Sequence, residues 1–166
     1  MPIETIINKL RNTTNREISF LSDLVSVAID EAWILENIPR DIPAGSYHRN
    51  LLDLGDDYEL VLASWPVGGG TVIHDHGSND SHGIFRVLKG EISNRVYRLE
   101  NDDRVIFEKE VVHKLNEKGE VHKGFIHSMG NHSENEVGMT LHLYSPKIVN
   151  VKFWDPATLE RLQRSA

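Results

Sequence analysis

Two histidines one residue apart, His74 and His76 in Ile73-His74-Asp75-His76-Gly77, form the pattern in this 166-residue sequence best suited to hold a metal ion. Side chains two apart on a strand share a face, so both imidazoles can reach one point while Asp75 points away. A polar, solvated turn would carry the same residues. The triple glycine Gly68-Gly69-Gly70 just before them and the β-rich surroundings favour the ligand pair. A third ligand must come from elsewhere among the nine histidines. His127 lies in Gly124-Phe125-Ile126-His127-Ser128-Met129, an apolar, strand-like stretch that opens from a glycine. His142 lies in Thr140-Leu141-His142-Leu143-Tyr144, where alternation puts Thr140, His142 and Tyr144 on one face and both leucines on the other. The outward side of an edge strand fits that spacing equally well. His48, His113, His122 and His132 sit among charged or turn residues and are expected at the surface, and His82 is left open.

Strands are the elements that must position these groups. Glu59 to Trp65, Ile84 to Leu88, Ile92 to Leu99, Val105 to Val112 and Val137 to Tyr144 are rich in β-branched and aromatic residues. Turn clusters separate them at Gly55-Asp56-Asp57, Asn101-Asp102-Asp103 and Asn116 to Gly119. With no helical stretch between them, they predict an antiparallel sandwich or barrel. The first forty residues read differently. Ile3, Ile6, Ile7 and Leu10 recur at helical period, and Ile18, Leu21, Val25, Ala28, Ile29 and Ala32 continue a helical stripe toward Pro39. Thr14 and Glu17 have the spacing of a capping box before the second stripe. The expectation is a single domain over 1–166: a helical cap over 1–43, a β-barrel over 44–154 and a C-terminal tail over 155–166.

Composition narrows the function. There is no cysteine, which excludes disulfides, thiolate catalysis and thiolate-held clusters. A net charge of −7 argues against nucleic acid, whose binding needs clustered Lys and Arg. No apolar run approaches the ~20 residues that span a bilayer. No signal peptide is visible at the N-terminus, so a cytoplasmic protein is expected.

The motifs together resemble those of a known family. Gly68 followed by His74-Asp75-His76 and closed by Gly90 is similar to the first cupin motif, and His127 with Asn131 to the second. Within the cupins the chain resembles the cysteine dioxygenases, a family of thiol dioxygenases. The resemblance rests on Tyr47-His48-Arg49-Asn50, Ile73-His74-Asp75-His76, Ser81-His82-Gly83, Leu88-Lys89-Gly90, Ile126-His127 and Leu141-His142-Leu143-Tyr144-Ser145-Pro146, which follow the family's order. The fold it implies is mainly β, a small jelly-roll-like cupin barrel with an N-terminal helical cap. The position that supplies a glutamate ligand in most cupins falls at Gly83, and Asp80 is the sole carboxylate between Gly77 and Gly90. The resemblance therefore implies one Fe(II) per chain held by His74, His76 and His127 alone. Mammalian members carry at the Gly83 position a cysteine cross-linked to the tyrosine; a chain without cysteine cannot form that link and resembles the bacterial type.

By the same resemblance, L-cysteine and dioxygen are the substrates and cysteine sulfinic acid the product, with the thiolate and amine on the iron. Arg49, on the strand next to the metal segment, takes the substrate carboxylate, with Tyr47 beside it. Tyr144 places its hydroxyl near the bound thiolate and oxygen, held by His142, which Thr140 holds in turn. Ser145-Pro146 resembles a cis peptide bond of the family. On residue type alone, Arg49 fits a surface salt bridge and Tyr144 a core aromatic with its hydroxyl at the rim. Other readings are a dioxygenase for another small thiol such as 3-mercaptopropionate, a non-catalytic metal- or ligand-binding cupin, and a sugar isomerase. Arginine at position 49 favours cysteine, since relatives acting on 3-mercaptopropionate usually have glutamine there. No nucleic-acid or membrane partner is expected, and the protein is expected to be a monomer.

Overall fold

Ile3, Ile6 and Leu10 form the buried stripe of α1 (Pro2–Arg11) in the computed structural model, which describes residues 1–163. The second stripe does not make one helix. It divides into α2 (Ile18–Val25) and α3 (Glu31–Glu36). Carbonyl groups at a helix end need new donors, and the guanidinium of Arg86 supplies them, donating to Val25 O at 2.9 Å and Val27 O at 2.6 Å. Val27 and Ile29 still pack on the core from the non-helical connection, so the apolar period runs on across the break. The capping box at Thr14 does not form either. Glu17 is the N-cap, and the turn before it is held by Thr13 Oγ1, accepting from Asn15 N at 3.1 Å, and Asn15 Oδ1, accepting from Glu17 N at 3.0 Å.

Among the described residues ten strands follow: β1 (His48–Leu54), β2 (Glu59–Trp65), β3 (Ile73–His74), β4 (His82–Lys89), β5 (Ile92–Asn101), β6 (Arg104–His113), β7 (Lys118–Val121), β8 (Ile126–Asn131), β9 (Gly138–Ser145) and β10 (Phe153–Trp154). They form two antiparallel five-stranded sheets in the orders β1-β2-β9-β4-β7 and β10-β3-β8-β5-β6. This is the mainly β, jelly-roll-like cupin barrel. β7 begins inside the segment expected to be a turn; Asn116, with φ 67°, makes the turn, and Lys118 already pairs with Arg86. The Ser145–Pro146 bond is cis.

Strand parity decides what each face does. On one face of the first sheet Leu60, Leu62, Ile84, Met139, Leu141 and Leu143 pack against Ile3, Ile6, Leu10, Leu21 and Leu24 of the helices. Burying each such aliphatic side chain stabilises by about 1.5–3 kcal/mol, so the helices anchor this sheet from outside. The opposite face, with Ala63, Trp65, Phe85, Val87 and Tyr144, looks into the barrel. β2 and β9 are consequently buried at every position, and Thr140-His142-Tyr144 lie on the inner face of a central strand rather than outward on an edge. At the end of the chain, Glu160 and Arg161 bridge to Arg104 and Trp154, so this part of the expected tail packs on the second sheet; positions 164–166 of that tail lie outside the described residues. Among the described residues no helix is long and apolar enough to cross a membrane.

Candidate active site

A cavity of about 610 Å³ lies between the inner faces of the two sheets, lined from one side by β1, β2 and β9 and from the other by β3, β8 and β10. His74 ends β3 and stands opposite His127 of β8 in the ladder. His76 lies two residues on, past the end of the strand. The chain between them is pinned by Asp75, whose Oδ1 accepts from Gly77 N at 3.1 Å and Lys152 N at 2.8 Å. Gly77 has φ 84°, and a Cβ there would collide with the carbonyl of Val149, so only glycine allows this approach.

Each of the three imidazoles is oriented by its Nδ1. His74 Nδ1 donates to Val72 O at 2.9 Å, His76 Nδ1 to Phe125 O at 3.0 Å and His127 Nδ1 to Asn94 Oδ1 at 2.8 Å. A carbonyl can only accept, so Nδ1 carries the proton and Nε2 presents its lone pair, the second-layer device that fixes a ligating histidine. Nε2 of both His76 and His127 is buried with no partner among the described residues, a cost of about 1–3 kcal/mol per polar group that a metal ion would remove. The three side chains bring one ligand nitrogen each to within 4.8 Å of one another. All three are held below the ordinary imidazole range by burial, His76 down to about 3, and so offer neutral nitrogens. Three imidazole donors facing an open cavity fit a non-haem iron ion.

Opposite these ligands, Trp65 Nε1 donates to Thr140 Oγ1 at 2.8 Å, Thr140 Oγ1 lies 2.7 Å from His142 Nε2, and His142 Nδ1 lies 2.8 Å from the Tyr144 hydroxyl. Burial, then the charge of Arg49, lowers His142 to about 3. Burial, then the nearby Glu59, raises the Tyr144 phenol above its usual value, so it stays protonated. Gly83 pairs with Tyr144 across β4 and β9, and the absent side chain leaves room for the ring.

Arg49 reaches the cavity from β1, the edge strand of the first sheet. It therefore faces His74, His76 and His127 across the cavity, and does not come from a strand next to their segment as the resemblance implied. Its Nη2 donates to Oε1 of Glu59; the Arg49 side chain is 40% exposed and that of Glu59 only 7%. Tyr47 stacks on Trp65 with ring centroids 4.8 Å apart. Glu59, Asn94, Trp65 and Phe153 belong to the site without having been singled out in the sequence. Glu59 could have been found by parity, since Glu59, Val61, Ala63 and Trp65 share one face. Phe153 comes from β10, paired with His74, in a segment with no periodic signal. His82 lies outside the site, donating through Nε2 to Arg16 O at 2.8 Å. His113 is half-buried rather than exposed, its ring edge-on to Phe85 at 4.9 Å.

Known proteins resemble this chain in sequence and in fold. The chain is 29% identical over 116 residues to cysteine dioxygenase type 1 of Bos taurus, and 28% identical over 116 residues to that of Homo sapiens. Each match covers 68% of this chain and 57% of the relative, so the chain spans little more than half the length of these relatives. Among solved structures, a protein with a double-stranded β-helix domain from Klebsiella pneumoniae superposes with a TM-score of 0.54 at 16% identity, over 74% of this chain and 94% of that one, and shares the fold. The family model for cysteine dioxygenase type I matches residues 41–157, from ahead of β1 to beyond β10. The chain belongs to the cysteine dioxygenase type I family.

Proposed function

We propose that the protein is a thiol dioxygenase that converts L-cysteine and O2 to cysteine sulfinic acid, with one Fe(II) per chain held by His74, His76 and His127. The observation that carries this reading is the convergence of three oriented, neutral imidazoles on a cavity that also holds Arg49 and Tyr144. Family membership supports the same chemistry. We read the protein as a monomer of the cytoplasm, where cysteine is kept as the free thiol.

When bound, iron supplies the charge that favours a thiolate and the redox chemistry with O2. In the overall reaction the sulfur loses four electrons and O2 gains them, both oxygen atoms ending on sulfur. The chain's own residues bind and orient. The guanidinium edge of Arg49 not engaged by Glu59 receives the substrate carboxylate, for which a planar fork of donors is suited. Val61, Ala63, Met129, Ile148 and Val151 give the cavity its apolar lining.

Tyr144 is the catalytic hydroxyl, and Thr140 and His142 position it. The indole of Trp65 can only donate, so Thr140 accepts there and its own proton goes to His142 Nε2. The opposite tautomer would leave the fully buried Thr140 hydroxyl proton with no acceptor among the described residues. His142 Nδ1–H then donates to the Tyr144 oxygen. The phenolic proton is thereby left for the substrate sulfur or its oxygens.

The test is anaerobic iron loading, metal analysis, and oxygen uptake against a panel of small thiols. One iron per chain and uptake with cysteine are expected, both lost in His76→Ala. Full iron and full activity in His76→Ala would overturn the ligand assignment.

A further inference from the structure

Glu59 is a buried carboxylate inside the cavity that the proposed reaction does not use. It stands opposite Tyr144 in the β2–β9 register, so both side chains face the same space. One oxygen accepts from Arg49, and among the described residues no donor reaches the other. That second oxygen is not one of the buried polar atoms left without a partner, so it is open to the cavity, and the carboxylate also cancels the charge of the guanidinium expected to bind substrate. The pair as it stands is neutral.

A neutral pair recognises differently from a lone arginine. A thiol that brings a carboxylate alone adds an uncompensated negative charge next to Glu59, and like charges at close range repel. A thiol whose carboxylate is accompanied by an amino group satisfies both members. Its carboxylate meets the free edge of Arg49, and an N–H of its amine donates to the open oxygen of Glu59, a bond that offsets the repulsion and that a thiol with a carboxylate alone cannot make. We propose that Glu59 is a specificity-determining residue, which with Arg49 forms a two-charge clamp selecting α-amino-acid thiols over thiols that carry only a carboxylate. This rests on the thiol dioxygenase reading and names how its substrate class is chosen.

The experiment is anaerobic calorimetric titration of the iron-loaded protein, wild type and Glu59→Gln, with L-cysteine and with 3-mercaptopropionate. Wild type should bind cysteine at least about tenfold more tightly. Glu59→Gln keeps the shape and an oxygen for Arg49 but removes the charge. It should weaken cysteine and strengthen 3-mercaptopropionate, lowering the ratio of affinities about tenfold with iron content unchanged. Glu59→Asp, which restores the charge, should recover part of the ratio. A Glu59→Gln protein in which both thiols weaken equally would overturn the proposal and leave Glu59 a structural anchor of Arg49. If Glu59→Gln does not fold, the wild-type ratio alone decides, and equal affinity for the two thiols would overturn it. Failure of the iron-loaded wild type to bind either thiol would instead sink the functional reading beneath it.

Discussion

Gly83 and Tyr144 face each other across β4 and β9, and the tyrosine ring occupies the space a side chain at position 83 would need. A Cβ there would lie 2.5 Å from Cδ1 of Tyr144 and press on the carbonyl of Leu143. The ring that carries the hydroxyl proposed as catalytic is thus set by backbone on one side and by His142 on the other.

Gly83→Ala should therefore damage the site before it damages the fold. Overpacking of this kind costs about 1–3 kcal/mol. Thermal unfolding should show a modest loss, and oxygen uptake a much larger one, because the ring must move. A variant with normal activity would show that Tyr144 tolerates displacement.

Tyr144→Phe should fold and keep its iron while losing rate. A hydrogen bond to a charged group is worth about 1.5–3 kcal/mol, which at about 1.36 kcal/mol per decade predicts a fall of about 10- to 150-fold in turnover. Oxygen uptake at saturating thiol checks it. An unchanged rate would return Tyr144 to the role of a core aromatic.

Arg49→Gln should lower specificity for cysteine. Breaking a buried charge pair costs about 2–5 kcal/mol. Arg49 is 40% exposed, which discounts the effect toward the low end, a fall of about 30-fold to a few hundredfold in kcat/KM. Glu59 is left stranded, so some stability should be lost as well. Kinetics with cysteine and urea unfolding measure the two effects separately.

His142 predicts an acid-side loss of stability. Its folded value is near 3 against an ordinary 6.5, so below about pH 6.5 the unfolded chain takes up a proton the folded one refuses. The direction is loss as pH falls, by about 1.4 kcal/mol per unit between those two values for this group. Urea unfolding of metal-free protein from pH 7 to 5 should show it, and His142→Gln should reduce the slope by one proton. An unaltered slope would mean His142 is charged inside the barrel.

Much of the site was legible because it follows the two-residue period of strands. His74 with His76, and Thr140 with His142 and Tyr144, can be read as shared faces from spacing alone. Family motifs then singled out His127 and Arg49. The misses have physical causes. Glu59 opens a strand beside Gly55-Asp56-Asp57, where a carboxylate ordinarily faces water. The role of Asn94 depends on the pairing of β5 with β8, which no local pattern encodes. The break after Val25 was hidden because Val27 and Ile29 keep their apolar contacts without helical backbone. Phe153 reaches His74 only because a two-residue strand adds to the sheet edge.

The most direct measurement of the central claim is the fate of oxygen. Iron-loaded protein supplied with L-cysteine and isotopically labelled O2 should consume one O2 per cysteine and release cysteine sulfinic acid with both oxygens labelled. Product carrying label at one position only, or no oxygen uptake by a protein that holds its iron, would contradict the account.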